Sequence, residues 1–508
     1  MVNDKLVKLI KSLNGAEKRY FSLWITRHYD SENNNTLLLF RDLATAGDRS
    51  LKNFTEVNGH RPYARNFRFN KHFLYRQLLR CLHQYHSGRN AEARLKEMQD
   101  HADILADKGL YDESLEMLSA ASTLALKYEC FGIFYEVKRK ELELLRDTNY
   151  KGVSQEYIRA LEQEIAEALS KAAALTKTES AIMQLLYSLA KGGLQRGELP
   201  EHARGLSKEL KPVKGQKNFR SSLLYYQGMG AVAFAKGNFN QAWKWTGRSL
   251  ELFERYPHMK EEKQKAWIIA NQNHLVTLNY QGKYQNLEHL LEAMESIKAS
   301  TPQLRSRIFY ITHNMVLGTC AQVGDFVRGL KLVREINAAL KKQEVQLTLQ
   351  QMMIFYFNAA LVYFGTGRYR EANSMIRKIL SEKESQRQDL QSFARIFSIL
   401  IQFESGKQDL LEYSVRSAYR HLAHKKKLYE VEKRVMEFLR DSAQYMGSAQ
   451  ERKTAFTSLK HQLEELKQKR SEQEFFLFFD LIAWLDSKIT GKYFGTVLRE
   501  KNAGYWKR

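Results

Sequence analysis

The sequence predicts an all-α protein built from packed pairs of helices. Only five prolines occur in 508 residues, and proline is the residue that interrupts helix interiors. The abundant residues include Leu, Ala, Glu, Lys, Gln and Arg, which are all good helix formers. In addition, helical apolar patterns end repeatedly in a glycine that is followed two residues later by an aromatic residue. These three observations together favour long helices joined by tight turns.

Six segments of the chain share this ending. Their glycines are Gly109, Gly237, Gly282, Gly324, Gly367 and Gly406. In the stretch YFGTGRYREA, residues 363–372, Tyr369 and Ala372 follow Gly367. Glycine adopts the left-handed conformation that ends a helix, the aromatic side chain fills the angle between two helices, and the small residue lets them pack closely. Because one such pair cannot bury its apolar face alone, we expect neighbouring pairs to stack.

This pattern resembles the tetratricopeptide repeat family over residues 95–440. The best-matching segment carries Tyr356, Ala360, Tyr363, Gly367, Tyr369 and Ala372, and a second carries Tyr226, Gly230, Gly237, Phe239 and Ala242. The resemblance implies a right-handed superhelical solenoid of helix pairs. The last four intervals between the glycines exceed the 34 residues of the family, and the family's proline near each repeat end is mostly missing.

Two flanking regions differ from the repeats. Residues 1–94 predict a basic N-terminal helical module, in which Asn14 is the expected N-cap of a helix. Residues 441–508 predict helices that cap the last repeat, including one buried helix over the apolar run FFLFFDLIAWL, residues 475–485. An N-terminal helical module followed by divergent repeats is similar to uncharacterised bacterial repeat proteins, a likeness that implies no activity.

Charge and cysteine content restrict the partners and the compartment. The net charge is +23 and the isoelectric point is near 9.6, which favours an anionic partner. The three cysteines lie far apart and form neither a disulfide framework nor a CxxC site. The N-terminus lacks the apolar core of a signal peptide, and the longest apolar run is well under the ~20 residues that span a bilayer. We therefore expect a cytoplasmic protein without membrane insertion.

Motifs of catalysis and cofactor binding are missing from the sequence. The string QGMGAVA, residues 227–233, lacks the preceding strand of a dinucleotide-binding fingerprint. The string CLHQYH, residues 81–86, has two histidines on one helix face but no further metal ligand. We predict that the chain is not an enzyme and has no catalytic residue, metal, cofactor or small-molecule substrate.

Basic clusters are the first candidate binding feature. The stretch RPYARNFRFNKHFLYRQLLR, residues 61–80, interleaves basic and aromatic residues without any acidic residue. Such a stretch neutralises phosphates with Arg and Lys and stacks aromatic rings on bases. Two further basic segments follow at residues 206–220 and 424–434. The predicted anion-binding residues are Arg61, Arg65, Arg68, Lys71, Lys211, Lys214, Lys217, Lys425, Lys426 and Lys427.

A row of amides is the second candidate feature. The resemblance implies that the fifth position of the first helix in each repeat points into a concave groove. The amides at or beside that position are Gln99, Gln227, Gln272, Asn273, Asn314 and Asn358. A side-chain amide both donates and accepts hydrogen bonds, so it suits an extended peptide backbone or the edge of an unpaired base.

These features predict a non-enzymatic binding scaffold. Its basic superhelix is expected to engage a large anionic partner, foremost RNA or a ribonucleoprotein such as the ribosome. Two alternatives stay open at this point. One is an adaptor that holds an acidic protein or peptide in the groove, and the other is a DNA-binding regulator with residues 1–94 as its head.

Overall fold

A computed structural model describes the chain over residues 4–29, 34–46, 54, 57–192, 201–284, 287–382, 387–425, 428–442, 448–469, 471–473 and 475–506. The regular secondary structure of these residues consists of α-helices and short 3-10 helices, and no strand occurs among them. The all-α prediction is therefore confirmed. None of the described helices is long and apolar enough to cross a bilayer.

The chain forms two compact units, Met1–Leu169 and Ser170–Arg508. The first unit contains α1 (Lys5–Ser12), α2 (Gly15–His28), α3 (Asn35–Thr45), α4 (Phe67–Tyr85), α5 (Ala91–Asp107), α6 (Tyr111–Lys127) and α7 (Phe131–Asp147). The following helix, α8 (Gln155–Gly192), contains residues of both units.

The first unit has two separate hydrophobic cores. The helices α1–α4 enclose one of them, with Phe21 and Leu74 fully buried at its centre. The helices α5–α8 enclose the other, around Leu118. At the start of α2, Asn14 accepts a hydrogen bond from the backbone N–H of Glu17, whose carboxylate accepts one from the backbone of Asn14. The predicted N-cap is thus confirmed as a full capping box.

The second unit continues with helices of 4 to 22 residues. They are α9 (Glu201–Glu209), α10 (Phe219–Ala235), α11 (Phe239–Arg255), α12 (His258–Glu262), α13 (Gln264–Tyr280), α14 (Leu287–Glu295), α15 (Pro302–Val323), α16 (Phe326–Lys341), α17 (Leu349–Gly365), α18 (Tyr369–Leu380), α19 (Gln388–Glu404), α20 (Leu411–His424), α21 (Glu430–Arg440), α22 (Ala449–Lys467), α23 (Phe475–Phe478), α24 (Leu481–Thr490), α25 (Phe494–Lys501) and α26 (Ala503–Trp506). Helices that follow one another along the chain pack side by side, as α10 does on α11 and α17 on α18.

The predicted glycine turns are confirmed. The six glycines have φ between 69° and 79°, the left-handed region that side chains resist. At Gly367 the turn joins α17 to α18, which begins at the predicted aromatic residue Tyr369. The Tyr369 ring meets Phe364 edge-on with centroids 5.6 Å apart, and Ala372 is fully buried. The stretch YFGTGRYREA is therefore a helix-pair turn.

The string QGMGAVA lies in the middle of a helix, α10. A Cβ atom at Gly228 would lie 2.5 Å from Cδ2 of Leu210, and one at Gly230 would lie 3.6 Å from Cβ of Trp245. These glycines therefore let α10 approach its neighbours.

The prediction of one buried helix over residues 475–485 is wrong. This apolar run forms two helices, α23 and α24, with a break at Asp480. The Asp480 carboxylate accepts a hydrogen bond of 3.1 Å from the backbone N–H of Ala483 and so starts α24 as its N-cap. Phe479, next to the break, packs with ring centroids 5.5 Å from Phe364 and 5.3 Å from Phe397. The C-terminal helices thus share the core of α17 and α19, the helices that lead into the last two predicted glycine turns, Gly367 and Gly406.

A buried histidine in the second unit makes stability depend on pH. Burial lowers the pKa of His274 to about 4, and its Nδ1 shares a hydrogen bond of 2.9 Å with Oγ1 of Thr246. Between its ordinary pKa of 6.5 and this value, only the unfolded chain is protonated, so the free energy of unfolding falls as the pH drops. We expect this group to account for about 2 kcal/mol of the loss between pH 7 and pH 4.5.

Urea denaturation of the wild type and His274→Gln at both pH values measures this contribution. The variant should lose less free energy of unfolding on acidification than the wild type does. The same pH dependence in both proteins would contradict the assignment.

Candidate functional site

The long helix α4 carries an exposed row of basic and aromatic side chains, which we call the α4 basic face. It consists of Arg65, Arg68, Phe69, His72 and Arg76, all exposed. Within α4, Arg68, His72 and Arg76 follow one another at steps of four, and Phe69 lies three residues before His72, so these four share one side of the helix. Arg65 lies two residues before the helix begins. With Asn66 and Phe67 they border a shallow depression of about 560 Å³.

Neighbouring helices direct the other basic residues of this stretch inward. Lys71 donates a hydrogen bond of 2.6 Å to Asp4 at the start of α1. Arg61 forms an ion pair of 3.2 Å with Asp42 on α3. Although burial opposes it, the hydrogen bond from Lys71 lowers the pKa of Asp4. Arg61 and Lys71, both predicted to bind an anion, therefore hold the first unit together.

The arginines of the α4 basic face have no such partners. Among the residues that the structure describes, no carboxylate lies within ion-pair distance of Arg65, Arg68 or Arg76. The nearby acids Asp4, Asp42 and Glu17 bind Lys71, Arg61 and His86 instead. The positive charge of this face is thus not neutralised by an ion pair among the described residues.

An exposed aromatic ring accompanies this charge. Phe69 is 68% exposed, and its ring stacks on Phe73 with centroids 6.3 Å apart. The Phe73 contact holds the ring while one of its faces stays open to solvent. Arginines and an open ring on one helix face suit phosphates and unstacked bases, respectively.

The other predicted basic residues lie in the second unit. Lys211, Lys214 and Lys217 are exposed around a short 3-10 helix, Lys211–Val213. Lys425 is exposed at the end of α20. The predicted residues Lys426 and Lys427 lie outside the described residues.

The second unit also encloses a cavity of about 850 Å³, which we call the amide cavity. Three predicted groove residues line it, namely Gln272 on α13, Asn314 on α15 and Asn358 on α17. Further lining amides are Asn279, Gln281, Gln322 and Gln350. Aromatic side chains from α10, α13, α15, α17 and α23 complete much of the wall, among them Phe234, Tyr280, Tyr310, Phe357 and Phe476.

Hydrogen bonds connect these amides across helices. Nδ2 of Asn358 donates to Oδ1 of Asn314 at 3.3 Å, and Nδ2 of Asn314 donates to the Tyr310 hydroxyl at 3.3 Å. Gly318 makes this approach possible, because a Cβ there would lie 3.3 Å from Nδ2 of Asn358. The three side chains form one polar chain from α17 to α15.

One arginine, Arg387, lines this cavity, and a second, Arg307, contacts the lining residue Gln272; only Arg387 has a carboxylate partner among the described residues. Arg387 donates to both oxygens of Asp389 at 2.9 and 2.8 Å, from a left-handed backbone with φ 43°. Arg307 donates through Nε and Nη2 to Oε1 of Gln272 at 3.1 and 2.7 Å. Burial lowers the pKa of Arg307, and no described carboxylate lies within ion-pair distance of it.

The remaining predicted groove residues do not line the amide cavity. Gln99 belongs to the first unit and is only 7% exposed. Gln227 is half-buried on α10, and Asn273 is exposed on α13. Of the six predicted groove residues, three thus line the amide cavity and three lie elsewhere.

Sequence patterns did not single out Arg307 and Arg387, or His72 and Arg76 of the α4 basic face. Arg307 precedes Asn314 by seven residues, two helical turns, which places both on one side of α15. Arg76 follows Arg68 and His72 at steps of four. The helical period could therefore have indicated Arg307 and Arg76. It could not have indicated the Arg387–Asp389 pair, which lies at the start of α19.

The cysteine and the two histidines of the string CLHQYH lie in different environments. Cys81 is fully buried, and burial raises the pKa of its thiol to about 11. Nε2 of His86 lies 2.9 Å from Oε1 of Glu17, while His83 is exposed. Within the described residues, no group of three or more metal-ligating side chains comes together.

Neither a comparison with protein-family models nor one with curated proteins finds a match for this chain.

Proposed function

We propose that this chain is a non-enzymatic scaffold that binds single-stranded RNA, alone or within a ribonucleoprotein such as the ribosome, through the α4 basic face. The observation that carries the proposal is the set of arginines there that have no carboxylate partner among the described residues, next to an exposed Phe69 ring. Phosphates would satisfy the arginines and a base would stack on the ring. The net charge of +23 adds long-range attraction of any polyanion.

The remaining helix pairs would serve as a frame. We propose that its helix pairs stack as a right-handed superhelix similar to tetratricopeptide repeats. Six left-handed glycine turns and the side-by-side packing of consecutive helices support this arrangement. Such a frame presents many separate surfaces, which suits a large partner in the cytoplasm.

Duplex DNA is the second candidate partner of the same face. The helix α4 has 19 residues, and an α-helix fits into the major groove of B-DNA. Single-stranded RNA is favoured because Phe69 is exposed, since a ring can stack only on bases that are not already stacked in a duplex. A peptide adaptor would instead use the amide cavity.

Native purification at low salt, with and without nuclease, tests the proposal on the wild-type protein. We expect RNA to co-purify and to be lost after nuclease treatment. With a single-stranded RNA oligomer, the logarithm of the affinity should fall with the logarithm of the salt concentration with a slope of at least about 2, because three phosphate contacts contribute ~0.7 each.

A duplex DNA of equal length and an acidic peptide are the matched competitors. Affinity that does not change with ionic strength, or the absence of co-purifying nucleic acid, would defeat the proposal. Tighter binding of the duplex would assign the face to DNA.

A further inference from the structure

The amide cavity combines three features that one class of ligand would use together. Its volume of about 850 Å³ lies within the ~300–1,000 Å³ of small-molecule sites. Its walls are rich in aromatic rings and in side-chain amides. The wall residue Gln272 accepts two hydrogen bonds from the partly buried guanidinium of Arg307, which does not itself line the cavity and has no carboxylate partner among the described residues.

An anion would stabilise the positive charge of Arg307, which has no counter-charge among the described residues. A half-buried guanidinium that hydrogen-bonds only to an amide has lost part of its hydration without gaining a counter-charge. The contrast within the site is informative, since Arg387 has Asp389 on both of its donating nitrogens. An anionic group seated beside Arg307 and Gln272 would supply the missing charge. The exposed Lys467 on the cavity wall adds to the same field.

The amide side chains and aromatic rings of the cavity wall suit a planar ligand whose edges form hydrogen bonds. Asn314 and Asn358 are fixed to each other and to Tyr310, so their free donor and acceptor positions are oriented before a ligand arrives. Two other wall amides, Asn279 and Gln281, have buried side-chain oxygens that no donor in the described residues reaches. Asn and Gln side chains pair with base edges, and aromatic walls stack on bases.

We propose that the amide cavity binds a nucleotide, with its phosphate at Arg307 and Gln272 and its base between the amides and the aromatic wall. An extended peptide fits less well. Its backbone is neutral and gives Arg307 no counter-charge, and the pocket is bounded by α10, α13, α15, α17 and α23. This site lies wholly in the second unit and stands independently of the α4 basic face. It is a binding site, and no reaction is assigned to it.

Calorimetry on the full chain tests the inference with AMP, GMP, CMP and UMP, the matching nucleosides, and inorganic phosphate. We expect at least one nucleotide to bind with a Kd of about 0.1 mM or tighter. The nucleoside and phosphate alone should bind at least about 10-fold more weakly. Arg307→Gln should weaken the nucleotide about 10-fold or more while leaving the nucleoside unchanged.

Arg305→Gln is the matched control, because Arg305 is exposed two residues away on the same helix. It should bind like the wild type. Asn358→Leu should weaken both nucleotide and nucleoside, since it removes a contact to the base. Thermal melts of each variant confirm that the fold is kept.

Single-stranded RNA oligomers of the preferred base test whether the cavity binds a free nucleotide or a nucleotide that is part of RNA. If Arg307→Gln weakens the oligomer too, the cavity takes a nucleotide of RNA, and if it does not, the cavity takes a free nucleotide. The inference is overturned if no nucleotide binds at about 5 mM, if Arg307→Gln and Arg305→Gln behave alike, or if only acidic peptides bind in an Arg307-dependent way. Loss of RNA binding in variants of the α4 basic face, with nucleotide binding intact, would separate this site from the proposed function.

Discussion

Replacing Arg65, Arg68 and Arg76 together with Gln should lower the affinity for single-stranded RNA about 100-fold at 0.1 M salt. Each phosphate contact contributes ~0.7 to the slope of log affinity against log salt, so each is worth about 5-fold at this concentration. The slope itself should fall by about 2. Electrophoretic mobility or fluorescence anisotropy over a range of salt concentrations measures both quantities.

A variant with the same change in net charge separates contact from general attraction. Arg305, Arg370 and Arg377 are exposed in the second unit, and replacing all three with Gln should change the affinity only slightly. The α4 variant should keep its thermal stability, because the three arginines point away from the core. Equal losses of affinity in both triple variants would show that net charge alone attracts RNA, and would remove the α4 basic face as the site.

The ring on the same face gives an independent readout. Phe69→Ala should cost about 10-fold in RNA affinity, since stacking on one base is worth ~1–3 kcal/mol. The salt slope should stay unchanged, because no phosphate contact is lost. An exposed ring contributes little to folding, so a large loss of stability would indicate that Phe69 is a core residue.

Replacing Gly365 with Ala should be among the most destabilising single changes in the second unit, at about 3 kcal/mol. A Cβ at Gly365 would lie 2.1 Å from Cζ of Phe326. That ring is only 3% exposed and packs against Phe494 with centroids 6.1 Å apart, so it has little room to move. The carbonyl of Gly365 also accepts a hydrogen bond from the Tyr493 hydroxyl. Strain at this point would therefore loosen the C-terminal helices as well.

Gly367→Ala, two residues later, is the matched control. Nothing lies within 4 Å of a Cβ at Gly367, so only the left-handed backbone with φ 72° resists the side chain, at about 1 kcal/mol. Urea denaturation of both variants gives the comparison. If Gly367→Ala costs more than Gly365→Ala, crowding by Phe326 does not govern this turn.

Local sequence rules predicted the turns well because each depends on only a few adjacent residues. The rule needs only a glycine that ends one helix and an aromatic residue that starts the next, two positions later. Gly109, Gly237 and Gly367 all follow it. The capping box at Asn14 is equally local. The apolar run of residues 475–485 predicts one buried helix, whereas Asp480 within it divides the run, since an aspartate before an apolar segment is an N-cap signal.

Candidate sites were predicted less completely, because the use of a charge depends on what packs beside it. Arg61, Arg65, Arg68 and Lys71 look alike in sequence, yet two of them bind acids brought by α1 and α3. In the same way, Gln272, Asn314 and Asn358 come together in one cavity, whereas Gln227 does not line it. Contacts between residues far apart in the chain decide these differences.

The sequence by itself determined the helical class, the positions of the glycine turns and the strong positive charge. These follow from composition, from helix period and from the backbone preference of glycine, which act within a few residues. Only the tertiary structure decided which arginines stay free on α4, which amides line the cavity and where the C-terminal helices pack. Each of these depends on the distance between side chains on different helices, and that distance is set by the packing of whole helices.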